Sequence, residues 1–350
     1  MVPVVDLSRR AGRLAADYRL AVDRVLASGW FLLGPELEVF EAELAEWSGH
    51  RHAVGLSSGA AALQLALTAA GIGPGDEVLV PAFTAAPTAS AVCAAGAVPI
   101  PVDVDPETAL VPAGGWDAAR TERTRAAIVV HLYGRPAEAP HTDLPVIEDA
   151  AQAHGALLPG SGSAATAYSF YPTKNLGGIG DGGALVTDDD ELAARVRRLR
   201  VHGVEGQYVH VDRSQSFRMS ELEAAWLRIG LAGLGDDNAR RRAIAARYRS
   251  IDGVTWQTDH ARHVHHLAVL RAADRERARE RLAGDGVATA VHYPRSLTQQ
   301  PAYRAFAGCR PCPQSEAWAA TCVTVPCFPD LTDDEVDLVV AALTRLAEGG

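Results

Sequence analysis

The chain reads as an α/β protein: a large, mostly parallel mixed sheet covered by helices, followed by a smaller C-terminal α/β unit. Short apolar runs bounded by glycine and proline alternate with helix-period segments through most of the sequence. Hydrophobic residues make up 48% and charged residues 22%, the composition of a chain that packs a core. At 350 residues there is room for more than one such core.

Residues 60–70 have the helix period and stop at Gly71. Residues 78–81 form a buried strand, 84–95 a helix closed by Gly96, and 98–104 another strand. Strands follow at 127–131, 145–149, 166–170 and 183–187, then a helix at 189–200 whose acidic start suits its dipole. After Ser220 a long helical stretch runs to about Arg249. A strand at 263–271, a helix at 274–282 and a strand at 287–293 complete the smaller unit. The expected division is 1–240, N-terminal segment included, and 241–350.

Several function classes are disfavoured. Net charge is −10, from 33 basic and 43 acidic residues, whereas a nucleic-acid surface calls for a basic face. The start has no basic segment leading into an apolar one, and a cytoplasmic location is expected. Residues 78–102 are uncharged, yet Pro81, Pro87, Pro99 and Pro101 break them up, so they read as a buried strand–helix–strand rather than a membrane span. Cys309, Cys312, Cys322 and Cys327 invite a metal reading. Their middle gap is short for a zinc ribbon and Pro311 and Pro326 crowd it, so reduced thiols and no metal are expected.

Arginine is abundant and lysine occurs once, at Lys174. Arginine cannot replace lysine where an amine must lose its proton and attack a carbonyl. Lys174 follows a strand and precedes a glycine-rich turn, a position from which it can form an imine with an aldehyde. Gly178, Gly180 and Gly182 have the wrong spacing for a dinucleotide fingerprint and lead into a strand. Two other clusters carry chemistry. Ser57, Ser58, Gly59 and Ala60 open directly into an apolar helix, which suits either an anion or plain capping by a serine. Asp149 ends an apolar strand, where it can pair with a protonated pyridine nitrogen or cap a helix. His154 reads as a structural histidine.

The order of these clusters, with residues 34–36, 73–78, 81–84, 131–134, 148–155, 218–222 and 292–294, resembles the sugar aminotransferases of the DegT/DnrJ/EryC1/StrS group, over nearly the whole chain. The resemblance implies fold type I of the pyridoxal-5′-phosphate (PLP) enzymes, with pyridoxamine phosphate as the half-way form. It implies that Lys174 bonds the cofactor and later moves a proton, that Asp149 binds the pyridine nitrogen, and that Gln152 contacts the ring hydroxyl. Ser58, Gly59, Ala60 and Ser169 would hold the phosphate, and His292 and Tyr293 would face the substrate. The implied reaction moves an amino group from glutamate or glutamine to a nucleotide-linked keto-deoxysugar, in secondary-metabolite or surface-sugar biosynthesis, within a homodimer that shares its sites.

Three positions depart from that group's usual pattern. Ala60 replaces a threonine of the phosphate turn, Ala85 an aromatic residue stacked on the ring, and Ser216 an asparagine reaching the neighbouring subunit's phosphate. These departures bear on holding the cofactor rather than on the chemistry. The rival readings are a keto-inositol aminotransferase, a PLP-dependent sugar dehydratase and a non-catalytic regulator. Dehydratases of this kind carry histidine at the position of Lys174, and the intact Lys174, Asp149 and Gln152 argue against a regulator.

Overall fold

A computed structural model describes residues 1–157, 162–306 and 310–349. The N-terminal part supplies two helices, α1 (Leu7–Ser28) and α2 (Pro35–Ser48), then β1 (His52–Leu56) and α3 (Gly59–Ala69). β2 (Glu77–Pro81), α4 (Ala86–Ala94) and β3 (Val98–Val102) follow, so the uncharged stretch is a buried strand–helix–strand. Next come β4 (Thr124–Val130), β5 (Val146–Asp149), β6 (Ala165–Ser169), β7 (Gly183–Thr187) and α5 (Asp190–Leu199). The seven strands form one sheet in the order β1-β7-β6-β5-β4-β2-β3, in which β7 alone runs against the rest. Every residue of β2 and β7 is buried, as expected of strands covered on both faces. The carboxyl ends of β1, β2, β4, β5 and β6 therefore lie along one edge, where such sheets bind ligands.

The rest of the chain is built on α6 (Glu221–Arg249), which passes through residue 240 without a break. Its first half packs Leu227, Leu231 and Leu234 into a core shared with α2 and β7. Its second half puts Ile244, Ala245 and Tyr248 into a separate core. That second core covers an antiparallel sheet of β8 (Thr255–Trp256), β9 (Ala268–Arg271) and β10 (Cys322–Val325), with α7 (Arg275–Gly284) and α9 (Asp333–Glu348), while α8 (Pro313–Thr321) packs Trp318 and Ala319 into the core of the large sheet. Val2 also packs there, hydrogen-bonded to Gly286 and Ala288.

Two sequence expectations need correction here. Residues 287–293 make only isolated bridges, Val287 to Val2 and Ala290 to Thr324, and β10 takes the place in the sheet expected for them. The strand expected over 263–271 is short because His263, His265 and His266 are buried in side-chain hydrogen bonds instead. Two motifs that were separate in the sequence meet in space. The buried carboxylate of Glu221 accepts from the backbone N–H of Gly34 at 2.8 Å and of Glu36 at 2.7 Å, capping the start of α2. Among the described residues no helix is long and apolar enough to cross a membrane, and no group of histidine, cysteine and acidic residues could hold a metal. Cys312, Cys322 and Cys327 are free and buried, while Cys309 lies outside the described residues.

Candidate active site

Lys174 sits in the loop between β6 and β7, half-buried. Burial pushes its ammonium down to about 8, while the negative charge of Asp149 pulls the other way. A lysine in this state supplies a free amine far more readily than a surface one.

Asp149 closes β5 and is buried. Its Oδ2 accepts from the Thr88 hydroxyl at 2.8 Å, and its Oδ1 from the Ala151 N–H at 3.1 Å. Thr84 lies 3.1 Å from Thr88, so the segment around Ala85 is tied to the same carboxylate. No ion pair holds Asp149 among the described residues, and burial raises its pKa. The neighbouring Glu148 points to the other face. Burial disfavours its charge, but His131 at 3.7 Å and the hydroxyls of Thr166 and Ser163 hold it down at about 2.

Gln152 is engaged at both ends. Its Oε1 accepts from the Tyr133 N–H at 2.6 Å, and its Nε2 donates to the Tyr293 hydroxyl at 2.9 Å. The Tyr133 hydroxyl donates to the His292 carbonyl, so the motif at 131–134 links Gln152 to both His292 and Tyr293. His292 Nδ1 lies 2.8 Å from Thr324 Oγ1, and burial followed by the charge of Lys174 lowers the ring to about 4. Tyr293 packs its ring on Phe83, and burial raises its hydroxyl to about 12. His154 is fully buried between Tyr168 and Phe170, a structural position, and burial lowers it to about 3.

At the start of α3, Ser58 Oγ accepts from the Ala61 N–H at 3.1 Å, the plain capping role. The N–H groups of Gly59 and Ala60 lie in the first helical turn, where they have no intrahelical acceptor. A Cβ on Gly59 would stand 2.6 Å from the Ser169 Cβ, so only glycine lets the helix start rest on the end of β6. Ser216 is exposed beside Phe217, whose carbonyl accepts from the Ser57 N–H at 2.8 Å. The structure thus ties the sequence-derived residues into two linked groups, with Lys174, Asp149, Gln152, His292 and Tyr293 in one and Ser58, Gly59, Ala60 and Ser169 in the other. Sequence reasoning missed Thr88, whose signal was its position four residues after Thr84 in the helix expected over 84–95, although α4 itself begins at Ala86. It also missed Tyr133, which lay inside a recognised motif without a role.

A mostly parallel sheet with a half-buried, desolvated lysine near a carboxylate that forms no ion pair among the described residues, both at its carboxyl edge, is the arrangement of a cofactor-dependent enzyme of carbonyl and amine chemistry. The chain belongs to the DegT/DnrJ/EryC1/StrS aminotransferase family, whose model matches residues 13–344. It is 43% identical, over 99% of its length and 96% of the relative's, to the dTDP-3-amino-3,4,6-trideoxy-alpha-D-glucose transaminase of Streptomyces venezuelae. It is 42% identical, over 98% of both chains, to the erythromycin biosynthesis sensory transduction protein EryC1 of Saccharopolyspora erythraea. The crystal structure of S. venezuelae DesV in complex with a ketimine intermediate superposes with a TM-score of 0.93 at 41% identity, covering 99% of this chain and 98% of that one. The protein is a PLP-dependent sugar aminotransferase.

The residues present fit that cofactor. A buried carboxylate raised by desolvation and forming no ion pair among the described residues matches a protonated pyridine nitrogen. The open N–H groups at the start of α3, with the Ser169 hydroxyl packed against them, match a phosphate.

Proposed function

We propose that the protein transfers an amino group from glutamate or glutamine to carbon 3 of a nucleotide-linked keto-deoxysugar, as a cytoplasmic homodimer in secondary-metabolite or surface-sugar biosynthesis. The observation that carries the aminotransfer chemistry is the Lys174 amine, brought down to about 8 beside Asp149. The choice of carbon rests on the 3-amino product in the name of the Streptomyces venezuelae relative.

Bound PLP supplies an aldehyde and an electron sink that stabilises negative charge on the substrate carbon. Asp149, held by Thr88 and the Ala151 N–H, keeps the pyridine nitrogen protonated. Gln152, fixed between Tyr133 and Tyr293, orients the ring hydroxyl. Gly59, Ala60, Ser169 and, through its cap, Ser58 hold the phosphate. Lys174, freed as an amine, carries the proton between carbons. His292 and Tyr293 line the substrate side, and Ala85 leaves one ring face without an aromatic cover. Exposed apolar residues at Trp30, Phe31 and Leu32, with Tyr208, Val209 and Val211, flank the segment that carries Ser216, and support a second subunit docking there.

Borohydride reduction of the holoenzyme is expected to fix the cofactor on the Lys174 peptide alone, and Lys174→Arg to abolish turnover. Rates with 3-keto and 4-keto sugar nucleotides and keto-inositol are expected to favour the first. A preference for keto-inositol would overturn the acceptor, and full activity in Lys174→Arg would overturn the chemistry.

A further inference from the structure

The glycine-rich run after Lys174 has no ligand role in the site just described, and its surroundings account for it. We propose that Arg10 and Glu223, one from α1 and one from α6, form a two-sided mould that sets the position of the Lys174 amine. The inference rests on Lys174 being the cofactor lysine.

The loop from 172 to 180 has no regular structure, so its backbone groups need partners from elsewhere. Arg10 donates to the carbonyls of Pro172 at 3.3 Å, Lys174 at 3.1 Å and Asn175 at 2.8 Å. Glu223 Oε2 accepts from the N–H of Ile179 at 3.3 Å and Gly180 at 3.1 Å. Trp226 donates to the Gly177 carbonyl at 2.8 Å, and the Asn175 side chain is held by Asn238 and the Val264 carbonyl. Positive charge thus grips the carbonyls before the turn, and negative charge grips the N–H groups after it.

The glycines are what let these charges in. A Cβ on Gly177 would stand 2.2 Å from the Pro172 carbonyl oxygen and 2.4 Å from the Arg10 Nη1 that binds it, and one on Gly178 would stand 1.5 Å from Glu223 Oε1. Gly182 would place a Cβ at 3.3 Å from the same oxygen. A run that looks like a phosphate cradle encloses a carboxylate of its own chain instead.

Both charges are buried at a cost. Neither forms an ion pair among the described residues, and Glu223 Oε1 has no hydrogen-bond partner there. Burial pushes Glu223 up to about 7, against the pull of the two N–H groups, and lowers Arg10. An apolar residue in place of a buried charge is often no less stable, but it cannot supply hydrogen bonds that fix a geometry. Here that geometry is the backbone on both sides of Lys174, and small displacements of a reacting group are costly to rate.

The test uses the chain's single lysine. Cofactor-free protein is acylated briefly across a pH series and the Lys174 peptide is quantified by mass spectrometry, while kcat and KM are measured on the holoenzyme. The wild-type midpoint is expected near the lowered value of about 8. In Glu223→Ala and in Arg10→Met it should rise toward the ordinary 10.5 as water reaches the ammonium. In both variants kcat should fall, on the order of a hundredfold for a displacement of about 1 Å, with the donor KM little changed. Glu223→Gln, which keeps an oxygen for the two N–H groups, should recover the midpoint and most of kcat. A wild-type midpoint and kcat in a folded Glu223→Ala overturn the proposal, and Arg10→Met decides if that variant does not fold. The midpoint is read without cofactor or substrate, so an error in the proposed acceptor leaves it untouched.

Discussion

The two sides of the cofactor site are built by different means. On the lysine side, the loop carrying Lys174 is gripped by buried side chains from α1 and α6, and the carbonyls of residues 172, 174, 175 and 177 each accept from one of them. On the phosphate side, the start of α3 relies on a serine cap, two open N–H groups and close contact with Ser169. In the proposed function, the side that moves protons is over-determined and the side that only holds is spare. The departures at Ala60, Ala85 and Ser216 are expected to fall on cofactor holding, where a lost contact weakens binding without misplacing a reacting atom.

From this contrast, the largest effect on the phosphate side follows from crowding its close approach at Gly59. Gly59→Val would drive a branched side chain into Ser169. It is expected to weaken cofactor binding at least tenfold, about 1.4 kcal/mol, as measured by equilibrium dialysis. Binding unchanged by this substitution would mean that the helix start does not touch the phosphate. A smaller gain is expected from Ser216→Asn, which restores one amide and should tighten retention by about 0.5–1.5 kcal/mol, read as slower loss on dialysis. If wild type already retains all its cofactor through exhaustive dialysis, and Ser216→Asn adds nothing, the phosphate side is not spare.

The smallest effect sharpens the contrast within a single strand. Glu148 and Asp149 are adjacent on β5, yet hydrogen bonds and His131 hold the first down at about 2 while burial raises the second. Because the folded pKa of Glu148 lies below its ordinary 4.5, its stabilising contribution is present above that value and is lost as pH falls toward about 2. Asp149 has the opposite sign: its contribution is lost as pH rises through its raised folded value. Urea denaturation of the cofactor-free protein across the acid range should show Glu148→Gln with a flatter decline than wild type. Equal slopes would mean that Glu148 is not held in its charged form.

Much of this site was legible in the sequence because its residues are chemically irreplaceable. A lone lysine in an arginine-rich chain marks itself, and Asp149 is marked by ending an apolar strand. The large sheet was legible for a similar reason: covered strands read as apolar runs between punctuating glycines. The small sheet was misread because residues 287–293 and 322–325 have similar apolar character, and only tertiary pairing chooses between them. Long-range contacts left no local signal. Nothing in the sequence says that Glu221 caps α2, or that Gly178 and Gly182 are spaced to admit Glu223. Thr88 was hidden because one threonine on a helix looks like any other until the strand end beneath it is known.

At 29 residues, α6 spans about 43 Å and is a wall of two hydrophobic cores. Glu223, Trp226 and Asn238 reach the lysine loop from its first two thirds, and Ile244, Ala245 and Tyr248 reach the smaller sheet from its last third. A helix fixed in two cores acts as a splint. The small unit cannot melt without freeing the far end of the element that grips the lysine, so the energetic boundary between the two units is less sharp than the geometric one.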